Sequence, residues 1–188
     1  MDALTALHNR VSTGVLTEPA PSEQQRQNIF RAALRAADHG CLRPWRFLLV
    51  EGEARNRLGE ILLRAAEQAE DGPLSDAQRE RTLAMPLRAP LIIVAITRLQ
   101  DHPKVPRLEQ HMSTAGAVQA MLTAAYAEGV GAYWRTGALA YSPVVAEGLG
   151  LAKNERIDGF IYCGTPQKPP RQAPDLAVAD YFAQWSGQ

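Results

Sequence analysis

The sequence has few cysteines, no excess of charge of either sign and no long hydrophobic run. Only Cys41 and Cys163 occur among its 188 residues, which is too few for a disulfide framework and favours a reducing cytoplasm. Twenty basic side chains balance twenty acidic ones. The net charge therefore gives no overall electrostatic attraction to nucleic acid or to an anionic membrane. The longest apolar run, residues 90–96, is strand-sized, and the amino terminus lacks the apolar core of a signal peptide. We therefore expect a cytoplasmic protein with no nucleic-acid or membrane partner.

The motifs of the common catalytic and metal sites are also missing. No G-x-G-x-x-G, G-x-x-x-x-G-K-[ST], G-x-S-x-G or H-E-x-x-H pattern occurs, which removes the usual basis for a dinucleotide-binding, P-loop, hydrolase or zinc assignment. Asp38, His39 and Cys41 could ligate a metal, but they lack the four-ligand spacing of structural zinc. We predict no metal site.

What is present predicts one domain of mixed helices and strands. The chain is 46% hydrophobic, enough to bury a core at this length. Apolar spacing and cap patterns predict helices over residues 2–10, 22–37, 54–70 and 107–128, a further helix from Ser75 limited by Pro86, and a short one after Ser142. Apolar runs predict strands over residues 45–50, 90–97, 132–135 and 156–163, the last closed by a turn at residues 164–166.

The end of the chain is expected to be an extended arm. Residues 167–174 contain three prolines and cannot form regular structure. Tyr181, Phe182 and Trp185 follow, and an exposed aromatic cluster would be an aggregation liability. The arm is therefore expected to dock on a surface, which could belong to a second subunit.

Polar and basic side chains recur where predicted elements end. They are Arg10 and Ser12 after the first helix, Arg35 and His39 at the end of the second, and Arg135 with Thr136 after a strand. Guanidinium, hydroxyl and backbone N–H donors together suit an anionic phosphate. Solvated charges at helix ends are the alternative, and spacing alone does not choose between them.

Seven short motifs, in order, resemble those of one enzyme family. They are M-D-A-L-x-x-L-x-N-R-x-S with the following E-P-A-P, R-A-A-D-H-x-x-x-x-P-W-R-F, R-A-P-L-I-I, H-x-K-V-P-R-x-E-Q, W-R-T-G-A-L-x-x-S-P-V-V and G-F-I-Y-x-G-T-P. On these residues the chain resembles the flavin-dependent nitroreductase family, most closely its compact NAD(P)H nitroreductase branch, over residues 1–166.

The resemblance implies an α+β fold in which helices wrap a mixed central sheet. It implies an obligate homodimer that holds FMN without a covalent bond at the subunit interface. Residues 1–166 would form the FMN-binding domain, and residues 167–188 would be a carboxy-terminal arm packing on the partner subunit.

The resemblance also assigns site residues. Arg10, Val11 and Ser12 would bind the FMN phosphate, and Arg35 and His39 would approach the flavin from the partner chain. Trp134, Arg135, Thr136 and Gly137 would complete the pocket, with a backbone N–H at the Thr136–Gly137 turn aimed at flavin N5. Val11 stands where the branch usually has Arg, which puts phosphate affinity or flavin potential in question.

A second segment matches a nicotinamide-nucleotide contact of the branch. It comprises Ala124, Ala125, Tyr126, Ala127, Glu128 and Gly129. The same residues read equally well as the apolar end of the long helix.

The expected function is that of an oxidoreductase in which FMN supplies the chemistry and no side chain is catalytic. It would take hydride from NADH or NADPH and reduce a nitroaromatic, a quinone or a similar electrophilic acceptor by a ping-pong mechanism. Two alternatives remain open: a specialised flavin reductase of an unknown metabolite, and a flavin-binding dimeric module without turnover.

Overall fold

The computed structural model describes residues 1–70 and 72–187. Its helices are α1 (Ala3–Asn9), α2 (Glu23–Ala33), α3 (Ala54–Ala69), α4 (Asp76–Leu83), α5 (Arg107–Ala127) and α6 (Pro143–Gly148). Its strands are β1 (Leu16–Thr17), β2 (Trp45–Glu51), β3 (Leu91–Arg98), β4 (Gly131–Arg135) and β5 (Glu155–Pro166). Short 3-10 segments cover His39–Cys41, Met85–Arg88, Ala138–Tyr141 and Val178–Asp180.

Strand β3 is the centre of the sheet. Residues 91–97 are all buried, since helices cover both faces, and this explains the unbroken apolar run in the sequence. Strand β3 pairs with β2 on one side and with β5 on the other, and β5 also pairs with β4 and β1. The α+β class is confirmed.

Two apolar layers enclose the sheet. On one face, Ile29 of α2 packs with Val118 and Met121 of α5. On the other face, Leu58 and Leu62 of α3 pack with Val145 of α6. The two capping boxes predicted at Ser22 and Ser75 are present and begin α2 and α4.

Three details differ from the sequence-based expectations. All strand pairs in the described residues are antiparallel, whereas the resemblance implied a mixed sheet. Helix α2 ends at Ala33 rather than near residue 37, because the N–H groups of Arg35 and Ala36 bond three residues back and tighten the chain. Residues 164–166 continue β5 instead of turning, because Thr165 and Pro166 pair with β1, a two-residue strand that the sequence pattern did not predict.

The segment after β5 leaves the sheet and runs along the surface. The N–H of Gln167 donates to the Val15 carbonyl at 3.2 Å. Beyond that point Tyr181, Phe182 and Trp185 are 68%, 77% and 84% exposed. The single chain therefore leaves the aromatic side chains of the arm uncovered.

Candidate functional site

A loop after α1 runs alongside β4 and brings the first predicted site residues to the sheet edge. The N–H of Arg10 closes α1 by donating to the Ala6 carbonyl at 3.1 Å, so the chain leaves the helix at this residue. The N–H of Thr13 then donates to the Ala132 carbonyl of β4 at 2.9 Å. Arg10 and Val11 are half-buried, and Ser12 between these anchors is exposed. The loop thus holds the predicted phosphate contacts against β4.

Arg10 and Val11 line a cavity of about 220 Å³ together with Tyr126, Gly129 and Pro170. Two predicted groups, the phosphate loop and the nicotinamide segment, therefore meet around one cavity. Pro170 also places the start of the arm at this cavity.

The rest of the nicotinamide segment is tied into the fold. Ala125 is 1% exposed and packs in the core. The Glu128 carbonyl accepts a hydrogen bond from Gln25 at 3.0 Å, and its carboxylate accepts one from Asn28 at 2.7 Å. These contacts join the end of α5 to α2. Of the segment, Tyr126 and Gly129 line the cavity.

The end of β4 borders a second cavity of about 510 Å³ that contains the other predicted pocket residues. Trp134, Arg135, Thr136 and Gly137 all line it. Gly137 has φ of +116°, a conformation that favours glycine, and its carbonyl accepts from the Ala140 N–H at 2.9 Å. Within the described residues, the N–H groups of Thr136 and Gly137 donate to no protein oxygen. They are available to a ligand.

Arg135 is held by aromatic rings rather than by an acid. Its guanidinium carbon lies 4.2 Å from the centre of the Tyr133 ring and 5.4 Å from that of Tyr162. A Cβ at Gly14 would lie 3.7 Å from an Arg135 terminal nitrogen, so the loop after α1 passes this side chain. Among the described residues, the Arg135 Nε is buried without a hydrogen-bond partner. A buried N–H of this kind needs an acceptor that the described residues do not supply, and a bound ligand can supply it.

The backbone of β5 fixes Trp134. Its indole N–H donates to the Asp158 carbonyl at 3.1 Å. Gly159 has φ of +143°, and a Cβ there would lie 2.3 Å from the Trp134 Nε1 and 2.8 Å from the Arg135 carbonyl oxygen. The G-F-I-Y motif thus begins with a glycine that the close approach of β4 requires.

A larger cavity, of about 1020 Å³, lies beyond this point and is lined by His111, Tyr141 and Asp158. His111 Nδ1 lies 2.7 Å from the Asp158 carboxylate, which also accepts from the Thr97 hydroxyl. None of the residues predicted to bind flavin or nicotinamide lines this cavity.

His39 and Arg10 lie near opposite ends of α5, and Arg35 follows the end of α2, where its N–H donates to the Ala32 carbonyl at 3.1 Å. His39 Nδ1 is 2.5 Å from the Glu109 carboxylate, at the start of α5. Arg10 shares its cavity with Leu122 and Tyr126, near the end of α5. At 1.5 Å rise per residue, the span from Glu109 to Leu122 is about 20 Å. Within one chain, His39 and Arg10 therefore approach α5 from its two ends.

Comparison with known proteins identifies the family of this chain. The model of the family described as "Nitroreductase family" matches residues 9–165. The chain belongs to the nitroreductase family. It is 47% identical over 167 residues to "Putative NAD(P)H nitroreductase YdjA" of Escherichia coli strain K12, covering 89% of this chain and 90% of that protein. The family resemblance of the sequence motifs is confirmed.

Solved structures show the same fold. A nitroreductase-like family protein from Bacillus cereus superposes with a TM-score of 0.83 at 23% identity, covering 100% of this chain and 97% of that one. A "putative nitroreductase in complex with FMN" from Desulfovibrio desulfuricans superposes with a TM-score of 0.73 at 20% identity, covering 98% and 97%.

Sequence reasoning missed several residues of the 510 Å³ cavity in this nitroreductase family member. Arg81, Arg88, Tyr133 and Tyr162 line it and were given no role. Local signals exist for three of them: Arg88 opens the R-A-P-L-I-I motif, Tyr133 precedes the predicted site residue Trp134, and Tyr162 belongs to the G-F-I-Y motif. No local pattern connects Arg81 to the site.

In the described part of the chain, no helix is both long and apolar enough to cross a lipid bilayer. The same residues contain no cluster of three or more His, Cys, Asp or Glu side chains arranged to hold a metal.

Proposed function

We propose that this member of the nitroreductase family is an FMN-dependent oxidoreductase. It takes hydride from NADH or NADPH and reduces a nitroaromatic, a quinone or a similar electrophilic acceptor. The observation that supports this best is the buried, unpartnered Nε of Arg135, beside free N–H groups at the end of β4. The names of the relatives agree with the same activity.

The residues present fit the chemistry of FMN. The phosphate needs cations and hydroxyls, which Arg10 and Ser12 offer on the loop after α1. The flat ring needs donors at its edge, which Arg135 and the Thr136–Gly137 backbone offer. When bound, FMN would accept hydride from the nicotinamide and pass two electrons to the acceptor.

The protein holds and orients its donors without acid–base side chains. Tyr133 and Tyr162 fix the Arg135 guanidinium between their rings. Gly137 gives the chain the turn that presents two consecutive N–H groups. The Trp134 indole is fixed by the Asp158 carbonyl. Such preorganised donors favour negative charge on a bound ring without a proton transfer from the protein.

Val11 leaves the phosphate loop with one cation fewer than the resemblance implies. The half-buried Val11 side chain lines the 220 Å³ cavity beside Arg10. Loss of that charge-assisted contact lowers affinity for the phosphate. We expect FMN to be held more weakly than in relatives with Arg at this position.

We further propose that the working unit is a homodimer with FMN between subunits. Arg10 lies near the end of α5 and His39 near its start, about 20 Å apart along the helix, and a second copy that supplies His39 would bring the two groups to one site. Leu108 and Met112 of α5 are 69% and 62% exposed, and Leu4 of α1 is 63% exposed. A second subunit would cover this apolar surface and the aromatic arm.

The cytoplasm is the proposed location. Both cysteines are free thiols, which agrees with a reducing compartment. NADH and NADPH are also available there as hydride donors.

The first experiment measures flavin retention. Arg10→Glu replaces a phosphate-binding cation with a carboxylate and removes a charge-assisted hydrogen bond worth about 1.5–3 kcal/mol, so FMN affinity should fall at least about tenfold. Arg57→Glu makes the same charge change at an exposed position of α3 and is the matched control. The readout is the ratio of flavin to protein absorbance after desalting. Equal retention by both variants would contradict the Arg10 assignment.

Anaerobic addition of NADH and NADPH to the yellow wild-type protein tests turnover. Bleaching of the flavin absorbance by either nucleotide, followed by recovery with a nitroaromatic, is the expected result. A protein that stays yellow with both nucleotides would instead be a flavin-binding module without turnover.

Mixed dimers test the shared site. Arg10→Glu and His39→Glu homodimers are each expected to be inactive, because both of their sites contain the substituted residue. A mixed dimer has both substitutions in one site and neither in the other, so co-expression should restore activity. If mixed dimers form and remain inactive, His39 does not act across the interface. Replacing Tyr181, Phe182 and Trp185 together by Ala should weaken dimerisation and release flavin.

A further inference from the structure

Three arginines converge on the 510 Å³ cavity at the end of β4. Arg81 belongs to α4, Arg88 to the following 3-10 segment and Arg135 to β4. Among residues 1–70 and 72–187, no carboxylate lines this cavity, and the charged groups that line it are all cations.

Among the described residues these three arginines have no acidic partner, and they share one cavity, unlike the arginines that form ion pairs. Arg26 and Arg46 form ion pairs with Glu51 and Glu155 at 2.8 and 2.7 Å, and Arg79 pairs with Glu67. Within residues 1–70 and 72–187, Arg81, Arg88 and Arg135 make no ion pair and donate no hydrogen bond. Charge without a partner at a cavity wall is the arrangement expected of an anion site.

Arg135 and Arg88 act on the same part of the cavity. Burial raises the pKa of the Tyr162 phenol, and the positive charges of Arg135 and Arg88 oppose that rise. Both guanidinium groups therefore face Tyr162 closely enough to favour negative charge there. Met85, Leu139 and Phe160 supply apolar walls to the same cavity.

We propose that the acceptor taken by this cavity is a flat aromatic anion, of which an aromatic carboxylate is the simplest example. This inference rests on the proposed function. Arg135, which the loop after α1 passes, is the arginine assigned to FMN. Arg81 and Arg88 come from a different part of the chain and remain for a carboxylate, which a guanidinium binds through two parallel hydrogen bonds.

The reaction balances with a nitro compound as acceptor. A nitroarene, NAD(P)H and one proton give the nitrosoarene, NAD(P)⁺ and water. Two electrons and a hydrogen leave the nicotinamide, one N–O bond of the nitro group breaks, and solvent supplies the proton. The carboxylate of the acceptor takes no part in the bond changes, so Arg81 and Arg88 are binding residues in this proposal.

The test compares 4-nitrobenzoate with 4-nitrobenzamide, which has nearly the same shape and no charge. The wild-type protein should prefer the carboxylate in kcat/KM, and the preference should weaken with salt. Arg81→Gln and Arg88→Gln should each lower the ratio of the two kcat/KM values by about tenfold, the loss expected for one charge-assisted hydrogen bond. Arg57→Gln, the exposed control on α3, should leave the ratio unchanged.

A binding measurement separates this inference from the proposed function. Calorimetric titration with 4-nitrobenzoate needs no turnover, and thermal unfolding shows whether each variant is folded. Arginine-dependent binding in a protein that NADH and NADPH fail to bleach would support the anion site and overturn the proposed oxidoreductase activity. Bleaching by nucleotide with equal kcat/KM for the two acceptors would overturn the anion site alone. A fall in the flavin reduction potential of the Gln variants, with an unchanged ratio of the two kcat/KM values, would assign Arg81 and Arg88 to FMN. That result would also overturn the anion site.

Discussion

Replacing Gly159 with Ala is the sharpest test of how the site is built. The added Cβ would lie 2.3 Å from the Trp134 Nε1 and 2.8 Å from the Arg135 carbonyl oxygen. Neither atom can move freely, because the indole donates to the Asp158 carbonyl and the carbonyl belongs to β4. The φ of +143° at this position is also one that an L side chain rarely adopts.

The expected loss of stability combines three effects. An unfavourable φ costs about 1–3 kcal/mol, and forcing an extra carbon into a packed site costs about 1–3 kcal/mol. Loss of the Trp134 hydrogen bond adds about 1 kcal/mol. A total of about 3 kcal/mol or more is expected, which lowers the Tm by roughly 6–12 °C in a protein of this size.

Urea and thermal unfolding at fixed protein concentration measure the loss of stability. Flavin absorbance after desalting measures how much flavin the protein retains. Gly72→Ala is the matched control, because its Cβ would meet nothing within 4 Å and its φ is not in the left-handed region. We expect Gly159→Ala to lose both stability and flavin, and Gly72→Ala to lose neither. A Gly159→Ala protein within about 1 kcal/mol of wild type, with flavin retained, would refute the packing argument at β4 and β5.

Three further predictions concern kinetics, pH and thiol chemistry. Double-reciprocal plots with NADH or NADPH and a nitroaromatic should be parallel, since both substrates use one site, whereas intersecting lines with a demonstrable ternary complex would contradict a shared site. Arg46 lowers the pKa of the buried Glu155, so this pair stabilises the protein above the unfolded pKa of Glu and loses that effect as the pH falls through the folded pKa. Arg46→Ala should therefore cost about 2 kcal/mol at pH 7 in urea unfolding, and the cost should shrink as the pH is lowered through the folded pKa of Glu155; a cost that does not change with falling pH would contradict the linkage. Burial raises the pKa of Cys163 to about 12, so a thiol reagent should label only the exposed Cys41 in the native protein; native labelling of both would show that Cys163 is accessible.

Much of the fold could be predicted from local sequence pattern. The Ser22 and Ser75 capping boxes begin their helices as expected, because a side chain and a backbone group three residues apart decide that geometry. The apolar run of β3 and the long proline-free helix α5 were also predicted almost to their ends. In these elements local composition decides the structure, because an unbroken apolar run needs cover on both faces and a long stretch without proline keeps its helical hydrogen bonds. The order of seven motifs was enough to place the chain in the nitroreductase family.

The tertiary structure decided the contacts between distant parts of the chain. The turn expected at residues 164–166 is strand, because β1, almost 150 residues earlier, pairs with it. The sequence pointed to Arg135, but only the fold places Arg81 and Arg88 around the same cavity, whose described lining contains no acid. It also separates Arg10 from His39 along α5, which local pattern could not reveal. Periodicity reports the face of each element, whereas the site depends on which faces meet, and that choice is made by packing across the whole domain.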